Sequence, residues 1–338
     1  MTEMTAIPNN AFDALETLRN TYIRTPRDDL FRAHLDRLLK RDADGNLTPV
    51  PVTFTATGET RGIALVEGPG GGKTSLIDHV LSNHPALQSD DPTRRPVLSV
   101  RVPSPATVKS IGFEILRQSG YPATSSAKKE WQIWTDVRHR LKEFETAVLW
   151  LDEAHDLFRA GRAAEDILKL LKSLMQGDSA VIVILSGVDT LWEIASYDDQ
   201  VKRRYSKMAL PAMSSAKDGA ALTEVIQKFS ARVGLDPVID DDLVDRLIHA
   251  SRNRFGLCIE NIIAAIETAV LKGSSRLEIL HFAEAWGMQE GCDLGQNVFV
   301  SPRWAQIDLD EVKPKDAPAA QRARKPLTAR MSRPAKAG

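Results

Sequence analysis

The run Gly68-Pro69-Gly70-Gly71-Gly72-Lys73-Thr74-Ser75 sets four glycines ahead of a Lys-Thr pair. Glycine enters backbone regions closed to other residues, so such a run can curl with its N–H groups pointing inward around an anion. A helix opening just after it adds a positive end. A lysine at this position reaches the β- and γ-phosphates of a nucleoside triphosphate, and the adjacent hydroxyl ligates Mg²⁺. Residues 68–75 are therefore the candidate cofactor cradle. Lys73 is also a catalytic candidate, and Thr74 a metal ligand. The usual pattern has glycine five residues before the glycine of the Gly-Lys pair; here that place is Glu67. Gly68-Pro69-Gly70 beside it can supply the missing flexibility. A glycine-rich turn with a chance Gly-Lys-Thr is the competing reading.

A second constellation bears on that choice. Ala147-Val148-Leu149-Trp150-Leu151 is an apolar strand pattern ending in Asp152-Glu153. A parallel strand delivers its last residues to the sheet edge where ligands bind. Asp152 is placed to hold Mg²⁺ through water, and Glu153 to orient and polarise an attacking water. Phosphoryl transfer needs little more than such positioning and charge. An acidic helix start at Ala154-His155 is the bland alternative, weakened by the phosphate loop upstream.

These groups need a scaffold, and the pattern supplies one. Strand-like runs at 62–67, 96–102, 147–151, 180–186 and 207–210 alternate with helical patterns at 74–82, 108–118, 131–144 and 165–175. Alternation of this kind predicts a parallel sheet covered on both faces. After Pro211 the strands stop, and helical periodicity fills 216–233, 240–251, 257–271 and 277–286. Upstream, Phe12, Leu15 and Leu18, then Leu30, Leu35, Leu38 and Leu39, recur at helical spacing. A polar stretch, 42–51, follows. The expected division is an N-terminal helical segment (1–55), a core (56–212), a helical lid (213–290) and a C-terminal extension (291–338). Residues 313–338 hold eight basic residues against one acid, the composition of a flexible basic tail.

The 338 residues are 43% hydrophobic and 26% charged, with net charge −1. That is a globular composition with no whole-chain bias toward nucleic acid. Cys258 and Cys292 form no CxxC and have no His cluster nearby, which argues against a disulfide framework or a zinc site. No 18-residue apolar run or basic-then-apolar leader occurs, so the expected setting is cytoplasmic, without a membrane.

An Asp-Glu pair on a strand with an all-helical region after the sheet resembles the AAA+ ATPases. Within them, residues 96–103 and 115–122, Leu151-Asp152-Glu153-Ala154-His155, Asp198-Asp199-Gln200-Val201-Lys202-Arg203-Arg204-Tyr205 before Leu210-Pro211, and Tyr22-Ile23-Arg24 resemble the TniB-type transposition ATPases, close to the TnsC and MuB types. The resemblance spans roughly residues 20 to 290. It implies an α/β P-loop AAA+ fold: a central five-stranded parallel sheet flanked by helices, then a small helical lid. It further implies an ATPase using ATP and Mg²⁺. Such proteins bind double-stranded DNA, assemble on it as homo-oligomeric rings or filaments, and recruit or activate a transposase, in places with a further targeting protein. A helicase-loader-like remodelling ATPase and a non-hydrolysing ATP-dependent DNA scaffold are the alternatives.

The resemblance also implies finer assignments. Arg204 matches an arginine finger reaching a neighbouring subunit's nucleotide, with Arg203 as the adjacent alternative. Ser186 stands nearest the place of a γ-phosphate sensor; Val188 and Asp189 are the other positions there. Arg252 or Arg254 matches the lid arginine that faces the nucleotide. Tyr22 to Arg24 is the first region to examine for the base. Candidate DNA contacts are Arg101, Lys109, Lys128, Lys129, Arg138 and Arg140, each weighed against a solvated helix face, and the tail residues Arg322, Arg324, Lys325, Arg330, Arg333 and Lys336. Trp131 and Trp134 read as core contacts.

Overall fold

The computed structural model describes residues 9–54, 56, 58–122, 127–158, 163–191, 203–240 and 242–309. Its centre is a five-stranded sheet of β3 (Gly62–Val66), β4 (Val97–Arg101), β5 (Val148–Asp152), β6 (Ile182–Gly187) and β7 (Tyr205–Ala209). The strands lie in the order β4-β5-β6-β3-β7 and every pair is parallel. Both faces are covered, which is why the central strands read as unbroken apolar runs. Side chains still alternate between the faces. Ala64 and Val66 join one core with α4 (Val108–Gln118), α5 (Glu130–Glu143) and α6 (Ala163–Leu174). Ile63 and Leu65 join another with α2 (Pro26–Asp36) and α3 (Lys73–Ser82). The C-terminal strand ends collect the phosphate loop after β3, Asp152 after β5 and Ser186 near the end of β6.

Residues 9–54 differ from the helical segment expected there. Only α1 (Asn9–Arg19) and α2 are helices; β1 (Leu39–Arg41) and β2 (Leu47–Pro51) form an antiparallel hairpin. The Asp42 side chain explains the turn: its Oδ1 accepts from the backbone N–H groups of Asp44 and Asn46, and Gly45 takes a positive φ of 85°. Helix α2 opens on a capping box in which Thr25 and Asp28 satisfy each other's backbone N–H, with Pro26 in the first turn.

After β7 the chain builds a helical lid of α7 (Ser215–Arg232), α8 (Leu243–Ala250), α9 (Phe255–Leu271) and α10 (Ile279–Glu290), joined by a two-residue strand pair, β8 (Asp236–Pro237) with β9 (Arg276–Leu277). Two segments distant in sequence complete the lid's core. Leu15 and Leu18 of α1 enter it, backed by an Arg19–Glu267 ion pair. Val298 and Phe299 enter it from the C-terminal side. Among the described residues no helix is long and apolar enough to cross a membrane. Residues 198–202 and the basic tail lie outside the described residues. Trp134 is buried, as expected for a core contact, whereas Trp131 is 64% exposed. They lie three apart, a turn of about 300°, and only Trp134 falls on the face of α5 that packs on α4, where its indole N–H donates to Val108 O.

Candidate functional site

The phosphate loop departs from β3 and ends at α3. Gly70 and Gly72 hold φ of 73° and 89°, values that an L side chain rarely adopts. Gly72 is also the N-cap of α3, and no side chain caps this helix start. First-turn N–H groups without a side-chain cap are what an anion site requires. Lys73 Nζ donates to the backbone carbonyls of Glu67 (2.8 Å) and Gly68 (3.1 Å), which holds the loop closed on itself. Burial lowers the Lys73 pKa, against the pull of Glu67, Glu153 and Asp152.

Across the mouth of the loop, Thr74 Oγ1 donates to Asp152 Oδ2 at 2.9 Å. Ser186 Oγ donates to the other carboxylate oxygen at 2.6 Å and itself accepts from Trp150 Nε1 at 2.8 Å. One chain of bonds therefore runs from the β5–β6 core to the first turn of α3 and fixes the Asp152 rotamer. A hydroxyl and a carboxylate in contact beside a phosphate cradle form a donor set of hard oxygens that suits Mg²⁺. Glu153 follows with φ of 55°, a left-handed backbone that turns its side chain out of the strand line. Arg101 lies 4.0 Å from one Glu153 oxygen and His155 Nδ1 3.3 Å from the other.

Three residues that the motifs did not point to enclose the loop. Arg27 of α2 lies 3.6 Å from Glu67 and donates to Gly71 O (3.4 Å) and Pro211 O (2.5 Å). Gly256 packs on the loop, so that a Cβ there would come 2.3 Å from Gly70 O, and Leu257 N–H donates to that same oxygen at 2.9 Å. The loop thus accepts one of the orphan donors at the start of lid helix α9. Beside it opens a cleft of about 520 Å³ whose lining includes Tyr22, Ile23, Gly72, His79, Phe255 and Ile259. Tyr22 stacks on His79 at 3.7 Å and its hydroxyl donates to Asp28. The cleft is large enough for a nucleoside, and its lining mixes apolar side chains with polar and charged ones, Asn20, Asp78 and Glu260 among them.

Comparison with known proteins bears on the fold that carries this site. Residues 52–215 match the family model of the bacterial TniB protein. Over this stretch the chain is similar to the TniB family. No curated protein matches the chain. Solved structures with the same fold include Cdc6p from Pyrobaculum aerophilum, 15% identical, with a TM-score of 0.56 over 84% of this chain and 75% of that one. The ADP form of the Aeropyrum pernix ORC2 protein is 18% identical, with a TM-score of 0.53 over 80% and 70%. The Aeropyrum pernix ORC1 protein in complex with DNA is 14% identical, with a TM-score of 0.53 over 69% and 60%. The fold is the P-loop AAA+ ATPase fold.

The fold also sorts the remaining sequence-derived residues. Of the two lid arginines, Arg254 meets the loop: it donates to Pro69 O at 2.9 Å and lies against Gly68. Arg252 is turned away, paired with Glu290 and donating to Leu309 O. Ser186 is fully buried and its hydroxyl is spent on Asp152, while Asp189 is exposed. Arg204 does not project as a finger from the chain. It is 3% exposed, with its guanidinium 2.5 Å from Glu59. Arg203 beside it keeps 67% of its side chain exposed. Among the DNA candidates, Lys128 pairs with Asp136, and Arg140 donates to Ser119 O and covers the Phe144 ring. Arg138 bonds Ser173, and Lys109 lies over Phe113. Arg101 is 79% exposed, and Lys129 is exposed at the start of α5.

Proposed function

We propose that this protein is an ATP-hydrolysing, DNA-binding regulator of transposition. It assembles as a homo-oligomer on duplex DNA, recruits or activates a transposase, and uses hydrolysis to control assembly and disassembly. The observation that carries the chemistry is the bonded chain Trp150–Ser186–Asp152–Thr74 at the mouth of a phosphate loop closed by Lys73. The family match carries the biological reading.

In this reading residues 68–75 wrap the phosphates and Lys73 exchanges its two backbone acceptors for phosphate oxygens. Thr74 and Asp152 would hold Mg²⁺, which would offset the charge of the phosphates. Ser186 orients Asp152 and meets no phosphate. Glu153 positions the attacking water, and Arg254 carries the lid's charge to the loop. Tyr22 and the start of α9 enclose the base. Arg203, the exposed member of its pair, is the candidate for the finger acting on a neighbouring copy, in place of Arg204. Arg101 and Lys129 are the first DNA contacts to test. A DNA-directed role of this kind places the protein in the cytoplasm.

The test is a DNA-stimulated ATPase assay beside electron microscopy with ATP and duplex DNA. Wild-type protein should turn over ATP and coat DNA as rings or filaments. Glu153→Gln should lower turnover by about 100-fold or more with nucleotide affinity nearly unchanged. Turnover indifferent to Glu153→Gln would remove the hydrolytic assignment, and failure to bind duplex DNA in any nucleotide state would remove the transposition reading.

A further inference from the structure

Glu67 stands where phosphate loops of the usual pattern carry glycine, and the proposed function gives it no part. Its side chain is 9% exposed, and Oε2 has no hydrogen-bond partner among the described residues. It lies directly against the loop: a Cβ built on Gly71 would come within 2.0 Å of that oxygen. Three cations face it, Arg27 from α2, Lys73 from the start of α3 and Arg254 from the turn before α9. None of them satisfies Oε2. Arg27 stays 3.6 Å from Oε1 while donating to backbone oxygens, Lys73 bonds two loop carbonyls, and Arg254 bonds Pro69 O. Asp152 and Glu153 bear on the group through Lys73. A buried carboxyl is thus caged by positive charge that is engaged elsewhere.

We propose that Glu67 is a proton site beneath the phosphate loop, filled when a nucleotide polyphosphate enters. The inference rests on residues 68–75 being the nucleotide's cradle. Incoming phosphates would lie across the Gly71 backbone from the carboxylate. Two negative groups in a poorly hydrated site raise each other's proton affinity. Phosphates also draw Lys73 and Arg254 toward themselves, weakening the attraction that keeps Glu67 ionised. Both effects favour one added O–H bond on Glu67, its proton taken from solvent. Burial already pushes this carboxyl up to about 7, against the pull of Arg27, Lys73 and Arg254. Near neutral pH the empty site is then partly ionised and the filled site protonated. Affinity for nucleotide falls as pH rises past 7, by up to about tenfold per pH unit.

Calorimetric titration of the full chain with MgADP tests this, at pH 6, 7 and 8 in paired buffers of different ionisation heat. Wild-type protein should take up little proton at pH 6, about half a proton at pH 7 and about 0.9 at pH 8. Glu67→Gln should lose that rise and bind MgADP up to about tenfold more tightly than wild type at pH 8. Other titratable groups of the cleft, His79 among them, are common to both chains and cancel in the difference. Arg27→Gln, which removes the nearest cation, should move the onset of uptake to higher pH. Uptake by wild type that is equal at pH 6 and 8, or a Glu67→Gln chain that keeps the wild-type slope, overturns the proposal while leaving the nucleotide site intact. Absence of MgADP binding to wild type at every pH removes the cradle assignment itself, and the proton site with it.

Discussion

Glu67 makes a prediction about the empty chain as well. Its carboxyl is raised from 4.5 to about 7, with burial as the largest cause. The folded state therefore holds this proton more tightly than the unfolded one. The resulting cost to stability begins as pH rises past 4.5 and is complete above about 7, where it reaches up to about 3 kcal/mol. Glu67→Gln should accordingly raise the melting temperature of nucleotide-free protein at pH 8 and change it little at pH 4.5. Equal shifts at both values would mean that the carboxylate is not strained by burial. The departure at Glu67 was visible in the sequence because the motif fixes what belongs there. Its partner Arg27 was not, since 40 residues and a hairpin separate them and only the fold of α2 onto the sheet joins them. Ser186 shows the same limit. Its place at a strand end is written in the pattern, but whether the hydroxyl faces a phosphate or supports Asp152 depends on Trp150 beneath it.

At the scale of elements, the five sheet strands and the helices between them were legible because each buries an apolar face at a definite period. The hairpin of β1 and β2 was not, because three-residue and five-residue strands with a single fully buried side chain between them carry no period. Nor was the destination of α1, whose Leu15 and Leu18 fit any apolar groove and find the lid rather than the sheet. The joint between lid and loop is where element packing meets function. A methyl at Gly256 would press on the backbone of Gly70 and Gly72, which has no side chain to swing aside. Gly256→Ala should weaken MgADP binding about tenfold or more, with the lid's own unfolding changed by about 1–2 kcal/mol. Calorimetry against urea unfolding separates the two. Unaltered affinity would show that α9 need not seat on the loop for binding. Phe299→Ala, far from the loop but within the lid's core, should do the reverse: cost about 3 kcal/mol of stability and spare affinity in the folded fraction.

For the whole molecule, the arginines before β7 decide whether one chain is a complete enzyme. Tyr205 pairs with Gly62 at the start of the sheet, whereas the phosphate loop leaves from its other end, after Val66 beside Ala209. Five strand residues span roughly 16 Å, so neither Arg203 nor Arg204 can reach its own chain's phosphates without dismantling the strand. Any catalytic use of them must be on another copy. The two differ in what the fold has already done with them. Arg204 is enclosed with Glu59, and Arg204→Ala should cost about 2 kcal/mol by leaving that carboxylate without its main partner. Arg203 is largely exposed and only 3.8 Å from the same carboxylate at its nearest. Arg203→Ala should leave stability within about 0.5 kcal/mol and MgADP affinity unchanged. Wild-type turnover per chain should climb with protein concentration and with DNA, and Arg203→Ala should flatten that climb to the dilute rate. If the variant keeps the full rise, assembly is stimulating hydrolysis through some other group, and the exposed guanidinium of Arg203 serves the outer surface alone.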